Sequence, residues 1–386
     1  MKGLLNPDNR YGDDKSSAAC SLFGMLDTTG RRFSSEAVVR AITNMHDRSN
    51  GLGGGFAAYG IYPQHPEHYA LHVMYMSQAA KANVETYLRA EFDIEHAEPI
   101  PTSPANGIVN PPDVWRYFAL PKQLDGLSGD DTVVRRVMHV NTSIADAFIF
   151  SSGKNMGVFK GVGFPEAIAR YFRLEEYQGY LWTVHGRFPT NTPGWWGGAH
   201  PFNVLDWTVV HNGELSSYGI NRRHLEMFGY YCTLQTDTEV AAYAVDLLVR
   251  RHGHSIETLA KILAAPLWSE IDRMPQKERA LHQTLRQVYG SLLLNGPFTI
   301  IIAHTGQMIG LTDRIRLRPL VAGVRGDVLY LSSEESAIHL VCPDVERTWT
   351  PMGGEPVVGT VGVAPGPPKS AATAQAAGHK SARGRG

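Results

Sequence analysis

Six strand-like runs, at residues 70–76, 145–150, 180–185, 205–210, 297–303 and 328–332, are rich in Val, Ile, Tyr and Trp. Several follow one another at short intervals with no helical pattern between them. Parallel neighbours need a long crossover, usually a helix, so this order favours antiparallel sheets over a doubly wound parallel one. Helical signals supply the covering layers. Ser35 stands ahead of Val38, Ile42 and Met45 at helical spacing. Thr236-Asp237-Thr238-Glu239 reads as a capping box, followed by Val240, Ala244 and Leu247 and stopped by Gly253. Further helices are expected at 165–173 and over much of 270–289. The expectation is an α+β chain with helices packed on antiparallel sheets.

A chain of 386 residues is long enough to bury one large core or two ordinary ones. With 36 basic and 37 acidic side chains the net charge is −1, which provides no broad field for nucleic acid or an anionic membrane. Neither is expected as a partner. No apolar stretch reaches the roughly 18 residues of a membrane helix, since the most apolar run, 291–303, is broken by Asn295, Gly296 and Pro297. The N-terminus lacks the apolar core of a secretory signal. Three cysteines, Cys20, Cys232 and Cys342, form no disulfide framework and point to a reducing, cytoplasmic setting. Residues 365–386 contain no acid and no large apolar side chain and are expected to be a disordered tail. Residues 61–145, with a Pro-rich polar part at 99–112, carry no recognisable chemistry and are expected to be an insertion on the core fold.

Two strand ends carry groups suited to chemistry. His185-Gly-Arg-Phe-Pro-Thr-Asn-Thr192 places Arg187 at the mouth of a strand beside short polar side chains. A guanidinium fork matches the two oxygens of a carboxylate, although an ordinary strand-end turn explains the pattern equally well. His211-Asn212-Gly213-Glu214 also ends a strand, and Asn-Gly is foremost a hairpin signal. Read functionally, the Asn212 amide and the Gly213 N–H are two donors for the oxyanion of an acyl-transfer intermediate. Asp237 is either a helix cap or an acceptor for a ligand ammonium. Histidines 185, 200, 211 and 224 fit no metal-ligand spacing, and no metal is expected. Gly51-Leu-Gly-Gly-Gly55 is not a phosphate loop, because no Lys-Ser/Thr follows it.

The order of these landmarks is more specific than any one of them. Cys20-Ser-Leu-Phe-Gly24 comes first, followed by the Gly-rich 51–55, His185 to Thr192, His211 to Glu214 and Thr236 to Glu239. Leu294-Asn-Gly-Pro-Phe298, Asp313-Arg-Ile-Arg-Leu-Arg-Pro-Leu320 and Ser332-Ser-Glu334 complete the series. In this order they resemble the class II glutamine amidotransferases, the N-terminal-nucleophile type, and most of all the separately encoded glutaminase domain of archaeal-type glutamate synthase. The resemblance implies an αββα sandwich, two antiparallel sheets between helix layers, over residues 20–364. It implies that Cys20 is the nucleophile and becomes the first residue once a propeptide, 1–19, is removed, so that its own α-amino group acts as base. A free α-amine titrates at about 7.7–8.0, whereas a peptide nitrogen is not basic. Arg187 and Thr190 would then bind the α-carboxylate of L-glutamine and Asp237 its ammonium, with Asn212 and Gly213 as the oxyanion hole. The family usually has Gly after the nucleophile; here Ser21 stands there.

The function implied is that of a glutaminase subunit passing ammonia to a synthase partner in a hetero-oligomer. No cofactor is expected on this chain, with flavin and an iron–sulfur cluster on the partner, and a related partner would make N-methylglutamate instead. Two alternatives stay open. One is an amidohydrolase acting alone on another amide; the other is an unprocessed, non-catalytic regulatory subunit.

Overall fold

The computed structural model describes residues 20–188 and 194–367. The expected propeptide 1–19 and residues 368–386 of the expected tail lie outside the described residues. Two antiparallel sheets stack face to face. The larger has seven strands in the order Arg347–Trp349, Val321–Arg325, Val328–Ser332, Ser21–Asp27, Leu181–Gly186, Gly54–Tyr59 and Met156–Gly161. The smaller has five: Phe202–Val204, Trp207–Gly213, Phe298–His304, Gln307–Thr312 and Val357–Thr360. Strand Ser21–Asp27 of the first sheet packs on strands Trp207–Gly213, Phe298–His304 and Gln307–Thr312 of the second. Alternation along each strand builds this arrangement, because successive side chains point to opposite faces. Val210 and Ile301 turn into the core between the sheets with Leu22 and Leu26, while Val209, Ile300 and Ile302 turn to the helices outside.

Helices Glu36–Thr43, Pro165–Tyr171 and Glu335–Val341 cover the outer face of the larger sheet, and helix Thr238–Val245 lies on strands Phe202–Val204 and Trp207–Gly213 of the smaller. The layering is therefore the expected αββα sandwich. All six strand-like runs are strands, with ends shifted by at most three residues. Among the described residues, no helix is long and apolar enough to cross a membrane.

Residues 61–145 are mostly structured. They supply strands Tyr69–Tyr75, Phe92–Pro99 and Asp113–Pro121, which join Ala147–Ser151 in a separate four-stranded sheet, together with helices Gln78–Glu91 and Gly129–Ser143. The Pro-rich 99–112 is the connection between two of these strands.

The capping box expected at 236–239 does not form. Asp237 occupies the N-cap position in a helical conformation, and its side chain makes no capping bond. Glu239 turns inward, accepting the Thr233 and Leu234 N–H groups at 3.0 and 2.9 Å and the Tyr243 hydroxyl at 2.9 Å. Ser35 likewise sits at the N-cap of its helix without a side-chain bond. At the first of these helices the Thr238 N–H donates instead to Thr236 Oγ1 at 3.1 Å.

Candidate active site

A cavity of about 460 Å³ opens where strands Ser21–Asp27, Leu181–Gly186 and Trp207–Gly213 end beside helix Thr238–Val245, and Cys20, Arg187, His211, Gly213 and Asp237 are among the residues lining it. Residues far apart in sequence thus meet because three strands finish at the same edge of the sandwich.

Cys20 immediately precedes its strand, and its backbone is clamped from two sides. Leu22 N–H donates to Ser333 Oγ at 3.2 Å and Ser333 N–H to Leu22 O at 3.1 Å. Arg48, ion-paired with Glu334, donates from Nε to Cys20 O at 3.3 Å. This explains why Ser332-Ser-Glu334 belongs to the landmark series. Phe188 N–H donates to Cys20 Sγ at 3.3 Å. Burial pushes the thiol above its ordinary range, opposed by that N–H and by the charges of Arg187 and Arg318, which favour a thiolate.

Ser21 faces away from the cavity, toward the outer helices. It is buried, and its Oγ has no hydrogen-bond partner among the described residues. A Cβ on the facing Gly186 would lie 2.6 Å from that oxygen. The hydroxyl fits because its neighbour across the strand pair lacks a side chain.

Arg187 is buried, which pushes its guanidinium down from its ordinary range, while Cys20, Asp237 and Glu214 pull it back up. Its N–H bonds to Gly53 O at 2.9 Å, and a Cβ on Gly53 would meet the arginine Cδ at 3.0 Å. The Gly-rich 51–55 therefore lets backbone pass against the arginine stem, a structural role.

Gly213 holds φ +151°. A Cβ there would be 1.9 Å from Pro297 O, the acceptor of the Glu214 N–H at 3.0 Å, so the Leu294–Phe298 landmark is the seat of this turn. Asn212 is buried, and its Nδ2 has no hydrogen-bond partner among the described residues. A buried amide without an acceptor costs on the order of 1–3 kcal/mol, so Asn212, beside the cavity-lining Gly213 though not itself among the lining residues, is a donor in reserve.

Asp237 is relieved of capping and accepts Leu215 N–H on Oδ2 at 2.8 Å, with Oδ1 3.6 Å from His211 Nδ1. Burial raises its carboxyl, but His211, Leu215 and Thr238 together hold it below the usual range. Behind it, Thr238 Oγ1 is 2.7 Å from His200 Nε2 and 2.9 Å from His211 Nδ1, and His185 Nε2 donates to His211 O at 2.8 Å. His185 stacks on His200 with centroids 3.9 Å apart. Three of the four histidines singled out in the sequence thus converge as a hydrogen-bonded wall, and His224 packs elsewhere, near Phe228. Burial drives His185 down to about 3 and His200 well below its ordinary value, so both are neutral. Lys160, also buried behind the site, is pushed down to about 7 by desolvation, and Glu239 is pushed up to about 7 by the same cause.

Thr190 lies outside the described residues. Phe188 N–H, Arg318 and Thr238 escaped sequence reasoning. A backbone donor has no side-chain signature, and the other two lay inside landmark segments without a chemical reason to single them out.

Residues 131–355 match the family model described as glutamine amidotransferases class-II, which includes Arg187, Asn212, Gly213 and Asp237. The chain belongs to the class-II glutamine amidotransferases. An uncharacterized protein of Archaeoglobus fulgidus is 60% identical over 352 residues, covering 90% of this chain and 93% of that protein. The family is glutamine-utilising. More distant members include an amidophosphoribosyltransferase of Methanocaldococcus jannaschii, 27% identical over 49% of this chain and 35% of its own length. The glutamine amidotransferase-like protein GlxB of Rhizobium meliloti is 28% identical over 53% of this chain and 60% of its own. Among solved structures, a glutamine phosphoribosylpyrophosphate amidotransferase from B. subtilis, complexed with ADP and GMP, aligns at TM-score 0.45 and 17% identity, over 88% of this chain and 47% of that one. The chain thus spans about a third of the M. jannaschii enzyme and about half of the B. subtilis one.

Proposed function

We propose that this class-II amidotransferase is a glutaminase subunit that hydrolyses L-glutamine to glutamate and ammonia, and that the ammonia passes to a glutamate synthase-type partner. The observation that carries the reading is one cavity lined by a thiol, a buried guanidinium and a carboxylate, Cys20, Arg187 and Asp237. A free amino acid presents a carboxylate and an ammonium at fixed separation, and opposite charges lining one small cavity select that zwitterion. Arg187, with Thr190, takes the carboxylate and Asp237 the ammonium.

The raised thiol makes a base necessary. Removal of residues 1–19 would provide one, the α-amine of Cys20 itself, which accepts the thiol proton as Sγ attacks the side-chain amide carbon of glutamine. The carbonyl oxygen takes up the negative charge, met by Asn212 Nδ2 and the Gly213 N–H. Collapse breaks the C–N bond, the α-ammonium returns its proton to the departing nitrogen, and ammonia leaves a γ-glutamyl thioester. Water then attacks the thioester and restores the thiol. The chain contributes no cofactor in this scheme; flavin and an iron–sulfur cluster belong to the proposed partner.

Intact-mass measurement after incubation with 6-diazo-5-oxonorleucine tests the proposal. The expected result is a chain beginning at Cys20 that gains one adduct, with no adduct on Cys20→Ala. A fully active preparation that retains its first 19 residues refutes the mechanism.

A further inference from the structure

We infer that His65, His68 and Glu95 form a binding site for a divalent first-row transition-metal ion, outside the cavity around Cys20. Among the described residues this is the one set of three His, Cys, Asp or Glu side chains whose ligand atoms all lie within 4.8 Å of one another. Glu95 Oε2 faces both imidazoles, 2.9 Å from His65 Nδ1 and 3.1 Å from His68 Nδ1. Zinc bonds to imidazole nitrogen and carboxylate oxygen are about 2.0–2.2 Å, so an ion among these atoms needs only small movements of them.

The geometry is specific in three ways. His68 Nδ1 is buried and, despite its nearness to Glu95, has no hydrogen-bond partner among the described residues. An imidazole nitrogen beside a carboxylate needs a proton or a cation between them, and one oxygen shared by two such nitrogens suits a cation. Second, strand Phe92–Pro99 shifts register against Asp113–Pro121 between Ile94 and His96. That bulge makes Glu95 the extra residue, the device by which a strand re-aims a side chain. Third, the histidines are held in place. His65 stacks on Phe118 at 4.1 Å between centroids, its N–H bonds to Tyr62 O at 3.0 Å, and His68 N–H bonds to His65 O at 3.3 Å, in a segment stiffened by Pro63 and Pro66.

Two imidazoles and a carboxylate suit Zn²⁺ and its neighbours rather than Mg²⁺ or Ca²⁺, which prefer all-oxygen shells. Glu95 is half exposed, so water completes the coordination. The ion would fasten the segment ahead of strand Tyr69–Tyr75 to the edge strand Phe92–Pro99, within the region 61–145 that the proposed glutaminase chemistry leaves unused.

The test is a calorimetric Zn²⁺ titration of the tag-free full-length protein after chelator treatment, with melting temperature read with and without the ion. One equivalent is expected to bind, with a rise in melting temperature. His65→Ala, His68→Ala and Glu95→Gln should each weaken binding at least ~10–100-fold, the range lost when even a group supporting a ligand is removed. Glu95→Gln, at a half-exposed edge position, carries the test if a histidine variant fails to fold. Cys20→Ala should bind unchanged, which separates this site from the thiol cavity. No submillimolar binding, binding insensitive to all three substitutions, or loss in Cys20→Ala would each overturn the inference.

Discussion

Mild acid should destabilise this protein well above the range in which its carboxylates titrate. His72, His185 and His200 are buried, and desolvation lowers the first two to about 3 and the third well below its ordinary value. Unfolded, each takes a proton near pH 6.5; folded, none does, so stability falls with pH below about 6.5. Glu239 acts oppositely. Its folded-state value of about 7 exceeds its unfolded one, so it gains a proton in the native state first and adds stability as pH falls. The net is roughly two more protons bound by the unfolded chain. At about 1.4 kcal/mol per proton per pH unit, a fall from about pH 6.5 to about pH 5 costs about 4 kcal/mol. His224, His252 and His282, lowered by partial burial, add in the same direction. Such a loss is a large share of the ~5–15 kcal/mol typical of a native protein. Urea unfolding followed by tryptophan fluorescence at the two pH values measures it directly, and Glu239→Gln should steepen the loss by removing the compensating group. Stability equal or greater at the lower pH would refute the assignment of these histidines as buried and neutral. Because His200 and Thr238 share the wall behind Asp237, activity should fall over the same window.

The site residues make separate predictions. Arg187→Ala should raise KM for glutamine roughly 10–150-fold, the equivalent of a charged hydrogen bond worth about 1.5–3 kcal/mol, with much less effect on kcat. Asn212→Ala should lower kcat by ~10²–10³ with KM little changed, as for an oxyanion donor, and a raised KM with kcat unchanged would assign it to ground-state binding. Gly213→Ala forces a side chain into Pro297 O at a backbone angle that favours glycine and should lower the melting temperature strongly, read by calorimetry. Gly186→Ala collides with Ser21 Oγ, and the double variant with Ser21→Gly should recover much of the lost stability.

Much of this was legible in the chain itself, because it is written locally. Six strands announced themselves through β-branched and aromatic runs. Arg187 and the Asn212-Gly213 pair stood at strand ends, and the landmark order around Cys20 pointed to the class II amidotransferases. Local rules misled at one helix start. Thr236 to Glu239 has the letters of a capping box, yet Asp237 bonds to Leu215 and Glu239 to Thr233 and Leu234. Residues 61–145 looked barren because helices and strands that pair with one another only in three dimensions leave weak periodicity in sequence. Only the tertiary structure decided that residues 20, 187, 213 and 237 share one cavity, that Ser21 turns toward Gly186, and that a bulge brings Glu95 to His65 and His68. The physical reason is the same in each case. A residue's type sets which bonds it can make, but which partner lies within 3 Å depends on where strands from distant parts of the chain end.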